Sequence, residues 1–159
     1  MMESSYDAIV VGTGVSGGWA AKELCEAGLK TLVLERGRMV KHVVDYPTMH
    51  NDPWDLPHGG KTPSEIVEKH YSKQKRWGFD ENNRHFYNKD SEHDYDEVKP
   101  FDWIRGKQVG GRSLIWGRQS YRWSDLDFEA NAKDGYGVDW PIRYKDIAPW
   151  YSQVEKFIG

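Results

Sequence analysis

Cysteine occurs once in this 159-residue chain, at Cys25. That excludes an internal disulfide and any metal site built from several of its own thiolates. Long apolar runs are missing too. The longest is Ala8–Val11, far short of the ~20 residues that cross a bilayer as a helix. Charge of one sign is not in excess. The formal net charge is -3, which gives no reason to expect a nucleic-acid partner. Little sequence precedes the first strand-like run at Tyr6, which leaves no room for a signal peptide. The expected compartment is the cytoplasm, unless a partner carries the protein elsewhere.

The chain is polar but not sparse. Hydrophobic residues make up 38% and charged residues 30%, with a mean hydropathy of -0.83, a composition that suits one globular domain. Eight Trp and nine Tyr are a heavy aromatic load, with Trp103, Trp116, Trp123, Trp140 and Trp150 towards the end. Such rings suit the walls of a cofactor or sugar site. Ordinary packing explains them at least as well.

Three textures follow one another. Residues 6–37 are regular, residues 38–104 are polar with five of the seven Pro and all six His, and residues 105–159 are rich in Gly and aromatics. The first reads strand, turn, helix, strand. Tyr6–Val11 is apolar enough for a strand buried on both faces. A helix from Ser16 to about Ala27 places Ala20, Leu24 and Ala27 on one side, with Cys25 as an inert packed thiol and Gly28 as the stop. Thr31–Leu34 is the second strand. The fold class is therefore α/β: an FAD/NAD(P)-binding, Rossmann-like βαβ unit, incomplete, with a polar insertion.

In the insertion, Pro47, Pro53, Pro57 and Pro63 break long elements, and Ile66–Lys75 is expected as a short helix capped by Ser64. Asn83–Val98 shows no period. His42, His50, His58, His70, His85 and His93 have irregular spacing and no HxH or HExxH pair, so a solvated, charge-rich segment is preferred over a metal cluster. Further on, a glycine turn at Val109-Gly110-Gly111 should lead into a helix over Arg112–Gln119. Ser124 and Asp127 have capping-box spacing, and Asp134-Gly135-Tyr136-Gly137 reads as a loop. Lys145–Phe157 is an amphipathic helix with Ile147, Trp150, Tyr151, Val154 and Phe157 on its stripe, and Pro149 in its first turn.

Gly12-Thr13-Gly14-Val15-Ser16-Gly17 matches G-x-G-x-x-G in full context, after a strand and opening a helix. Gly12 allows the sharp turn, Gly14 lets backbone approach a pyrophosphate, and Gly17 lets helix and strand pack closely. The helix N-terminus offers unpaired N–H groups to phosphates. Glu35, ending the second strand, is placed to accept from a ribose hydroxyl and to repel a 2′-phosphate, although Arg36 adjoins it. NAD and FAD share this adenosine half, so the motif alone does not separate them. A second feature bears on the choice: Gly110 and Gly111 expose backbone N–H groups beside a helix start, and Ser113 adds a hydroxyl. Lys107, Arg112 and Arg118 flank that turn, and Arg112 is best placed to neutralise phosphate.

The run Gly106-Lys107-Gln108-Val109-Gly110-Gly111-Arg112-Ser113-Leu114-Ile115-Trp116-Gly117 resembles the glucose–methanol–choline (GMC) oxidoreductase family. Its Gly-Gly-x-Ser signature lies against the flavin and its pyrophosphate. The matching positions are Val109, Gly110, Gly111 and Ser113. The stretch from Asp139-Trp140-Pro141 through Asp146-Ile147-Ala148-Pro149-Trp150-Tyr151 looks like the family's Trp-Pro…Tyr-x-Asp-Leu-x-Pro-Tyr-Tyr segment. Residues 38–104 match nothing in it. Within the family, Gly-Gly-Arg-Ser-Leu-Ile-Trp-Gly looks closest to the sugar-oxidising branch of pyranose oxidases and glucoside 3-dehydrogenases. In pyranose oxidases the residue at the place of Ile115 is a histidine that holds flavin covalently, so the resemblance implies noncovalent FAD here.

The resemblance also implies an alcohol-oxidising flavoenzyme that passes hydride to flavin, with a sugar hydroxyl as substrate. It implies a small partner subunit, a cytochrome-type acceptor and export with that partner. The family's catalytic base is a histidine near the carboxyl end, and no position here matches it. We therefore expect a fragment, the amino-terminal portion of an FAD-binding domain without its substrate domain. Alone it should bind FAD weakly and expose apolar surface. Two other readings stay open: the cofactor domain of an NAD-dependent dehydrogenase, and a non-catalytic dinucleotide-binding module.

Overall fold

Ala8–Val11 (β1) and Thr31–Leu34 (β2) pair in parallel, with Ala8 opposite Thr31 and Val11 opposite Leu34. Val15–Glu26 (α1) makes the crossover between them. This βαβ unit is the predicted Rossmann-like element. The computed structural model describes residues 5–74 and 78–159. The chain forms two compact units, one ending at Gly117 and the other spanning Arg118–Gly159.

The register of β1 is set at both ends. The Asp7 N–H donates to the Lys30 carbonyl at 2.9 Å, and the Gly12 N–H to the Leu34 carbonyl at 2.7 Å. β1 is shorter than Tyr6–Val11 and is not buried on both faces. Ile9 and Val11 are exposed because successive side chains alternate and only the other face meets α1. The helix turns Gly17, Ala21 and Leu24 inward, while Ala20 and Ala27 are exposed. Only Leu24 is common to this side and the one expected from the sequence, which differ by about 60° around the helix. Cys25 is exposed as well, not a packed core thiol.

The best-buried side chains of the first unit lie mostly where a solvated segment was expected: Leu56, Tyr71, Gln74, Phe86, Tyr87 and Asn88, with Gln108. Tyr71 meets Phe79 at 4.8 Å between ring centroids, and Phe79 meets Tyr87 edge-on at 5.1 Å. Gln74 is fully buried and fully used. Its amide donates to the Asp90 carboxylate at 2.7 Å and the Trp103 carbonyl at 3.2 Å, and accepts from the Arg105 N–H at 3.1 Å. A buried amide is tolerated only when so satisfied. No periodicity reveals this core, since short 3-10 turns at Arg84–Phe86 and Asp90–Glu92 carry it.

Ser64–His70 (α2) starts one residue earlier than a Ser64 cap allows. Pro63 is the N-cap and Ser64 the first helical residue. The helix ends at His70, with residues 71–74 non-helical, short of the expected end at Lys75, which itself lies outside the described residues. The helix expected over Arg112–Gln119 is a single 3-10 turn, Gly111–Leu114, because the chain then turns through Arg118 at φ 60.

In the second unit, Asp125–Asp134 (α3) carries the expected capping box. The Ser124 N–H and hydroxyl meet the Asp127 carboxylate at 2.8 and 2.9 Å. Gly135 ends the helix in the left-handed region. Phe128 is buried between Trp123 and Trp140 at 5.9 and 6.2 Å. Tyr144–Ile158 (α4) begins at Tyr144, so Pro149 lies inside the helix rather than in its first turn. Its missing N–H leaves the Lys145 carbonyl without an intrahelical donor. On the stripe, Ile147, Tyr151 and Val154 are half-buried, whereas Trp150 and Phe157 are exposed. Among the described residues no helix is long and apolar enough to cross a membrane.

Candidate cofactor site

The turn between β1 and α1 needs glycine for two separate reasons. Gly12 has φ +92, and a Cβ on Gly17 would fall 2.1 Å from the Gly12 carbonyl oxygen. Gly14 is different. It is the N-cap of α1, and a Cβ there would meet nothing within 4 Å. No side chain caps this helix end and no acidic residue sits in its first turn. The leading N–H groups, at Val15, Ser16 and Gly17, have no intrahelical acceptors by geometry and face that open space. Val15 is 79% exposed.

The second glycine turn reaches the same place from a distant part of the sequence. Arg38 and Gln108 form a parallel bridge, with the Val109 N–H donating to the Arg38 carbonyl at 2.9 Å. The backbones pass so closely that a Cβ on Gly37 would lie 2.4 Å from the Lys107 carbonyl carbon. Gly110 and Gly111 then turn with φ 90 and 53, and a Cβ on Gly111 would stand 3.5 Å from the Gly14 Cα.

Thr13 joins the parts. Its N–H donates to a Glu35 carboxylate oxygen at 2.9 Å and its hydroxyl to the same oxygen at 2.5 Å. The hydroxyl oxygen in turn accepts from the Gly110 N–H at 3.1 Å. The other Glu35 oxygen accepts from the Gly37 N–H at 2.8 Å. These donors, the Thr13 hydroxyl first, then the Gly37 and Thr13 N–H groups, hold the Glu35 carboxyl below its ordinary range.

Gln108 was not singled out in the sequence. Buried, it donates from its side-chain amide to the Gly111 carbonyl at 3.1 Å, and its own carbonyl accepts from the Gly111 N–H at 2.7 Å. Nothing in its residue type marks it; its place two residues before Gly110 is the only signal. Ser113 donates its hydroxyl to the Gly110 carbonyl at 2.6 Å, so in this geometry it offers lone pairs rather than a proton. Arg36 and Arg112 are exposed. The electrostatic neighbours of Arg36 are Lys107 and His93. Arg118 belongs to the second unit.

The open space at Gly14 fits an anionic, backbone-bound group. It is bordered by two glycine turns, opened by the absence of a Cβ and faced by unpaired N–H donors. Glu35 already accepts three hydrogen bonds. The Arg36 N–H also lowers the carboxyl, so most of the about four lone-pair sites of the carboxylate are engaged. Among the described residues no group of three or more His, Cys, Asp or Glu is placed to hold a metal ion.

No family model matches the chain. It is similar over nearly its full length to larger curated proteins. It is 26% identical over 155 residues to 2-methyl-1,2-propanediol dehydrogenase of Mycolicibacterium austroafricanum, covering 96% of this chain and 24% of that protein. Against the gluconate 2-dehydrogenase flavoprotein of Pantoea cypripedii it is 29% identical, covering 96% and 25%. Against the fructose dehydrogenase large subunit of Gluconobacter japonicus it is 26% identical, covering 98% and 27%. The chain spans about a quarter of the length of these relatives.

Proposed function

We propose that the chain, which is similar to larger dehydrogenases of the GMC type, is the FAD-binding portion of an enzyme that oxidises an alcohol, a sugar hydroxyl in the first instance. The observation that carries this reading is the convergence of the two glycine turns through Thr13. One turn alone would serve any dinucleotide. The second turn beside it corresponds to the family's flavin-contacting signature.

Gly12, Thr13, Gly14, Val15, Ser16 and Gly17 would hold the pyrophosphate with backbone N–H groups and the α1 dipole. Glu35 would take a ribose hydroxyl, with Arg36 beside it. Val109, Gly110, Gly111, Arg112 and Ser113 would line the flavin side. Bound FAD supplies the hydride acceptor. The protein's part is to position it, and Ile115 in place of a histidine leaves it noncovalently held. The proton acceptor for the hydroxyl is to be sought outside residues 5–159, so the chain alone should bind cofactor without turning over alcohols. Relatives named for fructose, gluconate and a propanediol support the alcohol class, and the large-subunit name supports a search for a partner subunit.

The test is a titration of the purified chain with FAD and with NAD, followed by flavin fluorescence and competition. Saturable FAD binding that NAD does not displace, with all flavin released on acid precipitation, is the expected result. Binding of NAD in preference to FAD would overturn the flavoprotein reading.

A further inference from the structure

A cavity of about 670 Å³ lies in the first unit, between α2 and the segment that carries Arg84–Phe86 and Asp90–Glu92. Three of the six histidines, His70, His85 and His93, line it, although their sequence spacing is irregular. Arg84, Lys89 and Lys107 stand in the same walls against one carboxylate, Glu92.

Those cations are not equally committed. Arg84 pairs with Glu81 at 2.8 Å and Lys89 with Glu92 at 2.9 Å, whereas Lys107 makes no ion pair among the described residues. The His70 Nδ1 is bonded to the Ser91 hydroxyl at 2.7 Å, and the His85 Nε2 donates to the Asp45 carbonyl at 3.0 Å. In both rings the second nitrogen is left over. Burial pushes both Lys107 and His93 below their ordinary values. Lys107 and Arg36 add to the effect on His93, and Arg36 and Arg105 to that on Lys107, while Glu92 opposes it at both. The walls carry Arg84, Lys89, Lys107 and three histidines against Glu92, an imbalance that an anion would relieve. The buried rings of Tyr71 and Tyr87 form part of the wall, and the volume exceeds what a bare phosphate fills.

We propose that this cavity is a second anion site, separate from the α1 glycine turn, that takes the phosphate group of a small organic phosphate on Lys107 and His93. The aromatic wall holds the organic remainder. Its histidines and aromatic rings lie outside both glycine turns, and Lys107 precedes Gly110 by three residues.

Inorganic phosphate is the probe, titrated into the 159-residue protein at constant ionic strength with chloride as the control. The ring-proton NMR resonances of the six histidines are followed. The expected result is saturable shifts of His70, His85 and His93, with His42, His50 and His58 unmoved. Lys107→Met should weaken the binding at least tenfold. His93→Asn provides the same check should the first variant fail to fold. Phosphate held only at the α1 N-terminus would leave all three cavity histidines still. That result, equal drift of all six, or undiminished affinity in the variants would overturn the proposal.

Discussion

The Gly110 N–H donates to the Thr13 hydroxyl at 3.1 Å across 97 residues of sequence. That hydroxyl simultaneously donates to Glu35. One side chain thus fixes the spacing between the Gly12–Gly17 turn, Glu35 and the Gly110–Gly111 turn. Thr13→Val keeps the shape but removes the hydroxyl, leaving the partly buried Gly110 N–H without an acceptor. Such a loss is worth ~1–3 kcal/mol. FAD affinity should fall about tenfold or more, a change measurable by fluorescence titration. Thr13→Ser should recover most of it. A valine variant with unchanged affinity would remove Thr13 from the site.

Two glycines of the same motif should fail differently. Gly17→Ala sets a Cβ 2.1 Å from the Gly12 carbonyl oxygen, a backbone clash that should cost at least about 2 kcal/mol and lower the melting temperature. Gly14→Ala meets nothing within 4 Å and should leave melting unchanged. It should nonetheless abolish FAD binding, because the added methyl occupies the space proposed for the pyrophosphate. Melting curves and FAD titrations on both variants check the pair.

The acidic limb of stability should carry a contribution from Glu35. Its carboxyl is held below the ordinary value of 4.5, chiefly by the Thr13 hydroxyl, so the folded state binds this proton less readily than the unfolded chain. The contribution is complete above the unfolded pKa and is lost as pH falls through the lowered folded one. Other carboxylates titrate in the same range, so the informative quantity is the difference between wild type and Glu35→Gln. That difference in melting temperature should be constant from about pH 7 to 5 and shrink below about pH 4.5. A difference independent of pH would contradict the assigned hydrogen bonds.

The local grammar of the chain was readable because each part of it is a short-range rule. The bounds of β2 follow from an apolar run, the stop of α1 from Gly28 at φ +82, and the cap of α3 from the Ser124–Asp127 pair. Residues whose role depends on a distant partner were not readable. Gln74 is polar by type, yet buried because backbone 31 residues away satisfies it. The core around Tyr71, Phe86 and Tyr87 is built on turns rather than on periodic elements, so a pattern search passes over it. At the site, the two glycine motifs were legible separately. Their junction through Thr13 was not, because no local rule couples residues so far apart.

The exposed face of β1 makes a further measurable claim. Ile9 and Val11 are 61% and 81% exposed, and Val15 at the start of α1 adds to the apolar surface. Side chains of this kind on a short parallel sheet attract hydrophobic dyes and other chains. The purified chain should enhance ANS fluorescence and associate as its concentration rises. Ile9→Thr with Val11→Thr, which keeps β-branching at both positions, should reduce both effects without lowering the melting temperature. An unchanged dye signal would locate the apolar surface elsewhere.

The second unit rests on one arginine. Arg122 donates to both oxygens of Glu155 at 2.8 and 2.6 Å, to the Tyr144 hydroxyl at 3.0 Å and to Ser152 at 3.1 Å, and its guanidinium lies over the Tyr151 ring. The three hydrogen-bond partners and the ring all sit on α4, so the contacts pin the segment before α3 along that helix. Pro149 interrupts the backbone ladder of the same helix, which makes such external pinning matter more. A lysine offers a point charge without the planar fork. Arg122→Lys should therefore lose most of the effect along with Arg122→Ala, both seen as reduced helical ellipticity and earlier melting of the second unit. Because the pair is solvent-facing, added salt should bring wild type part of the way towards the variants. Full retention of helicity in Arg122→Lys would mean that charge alone, not the fork, holds α4 in place.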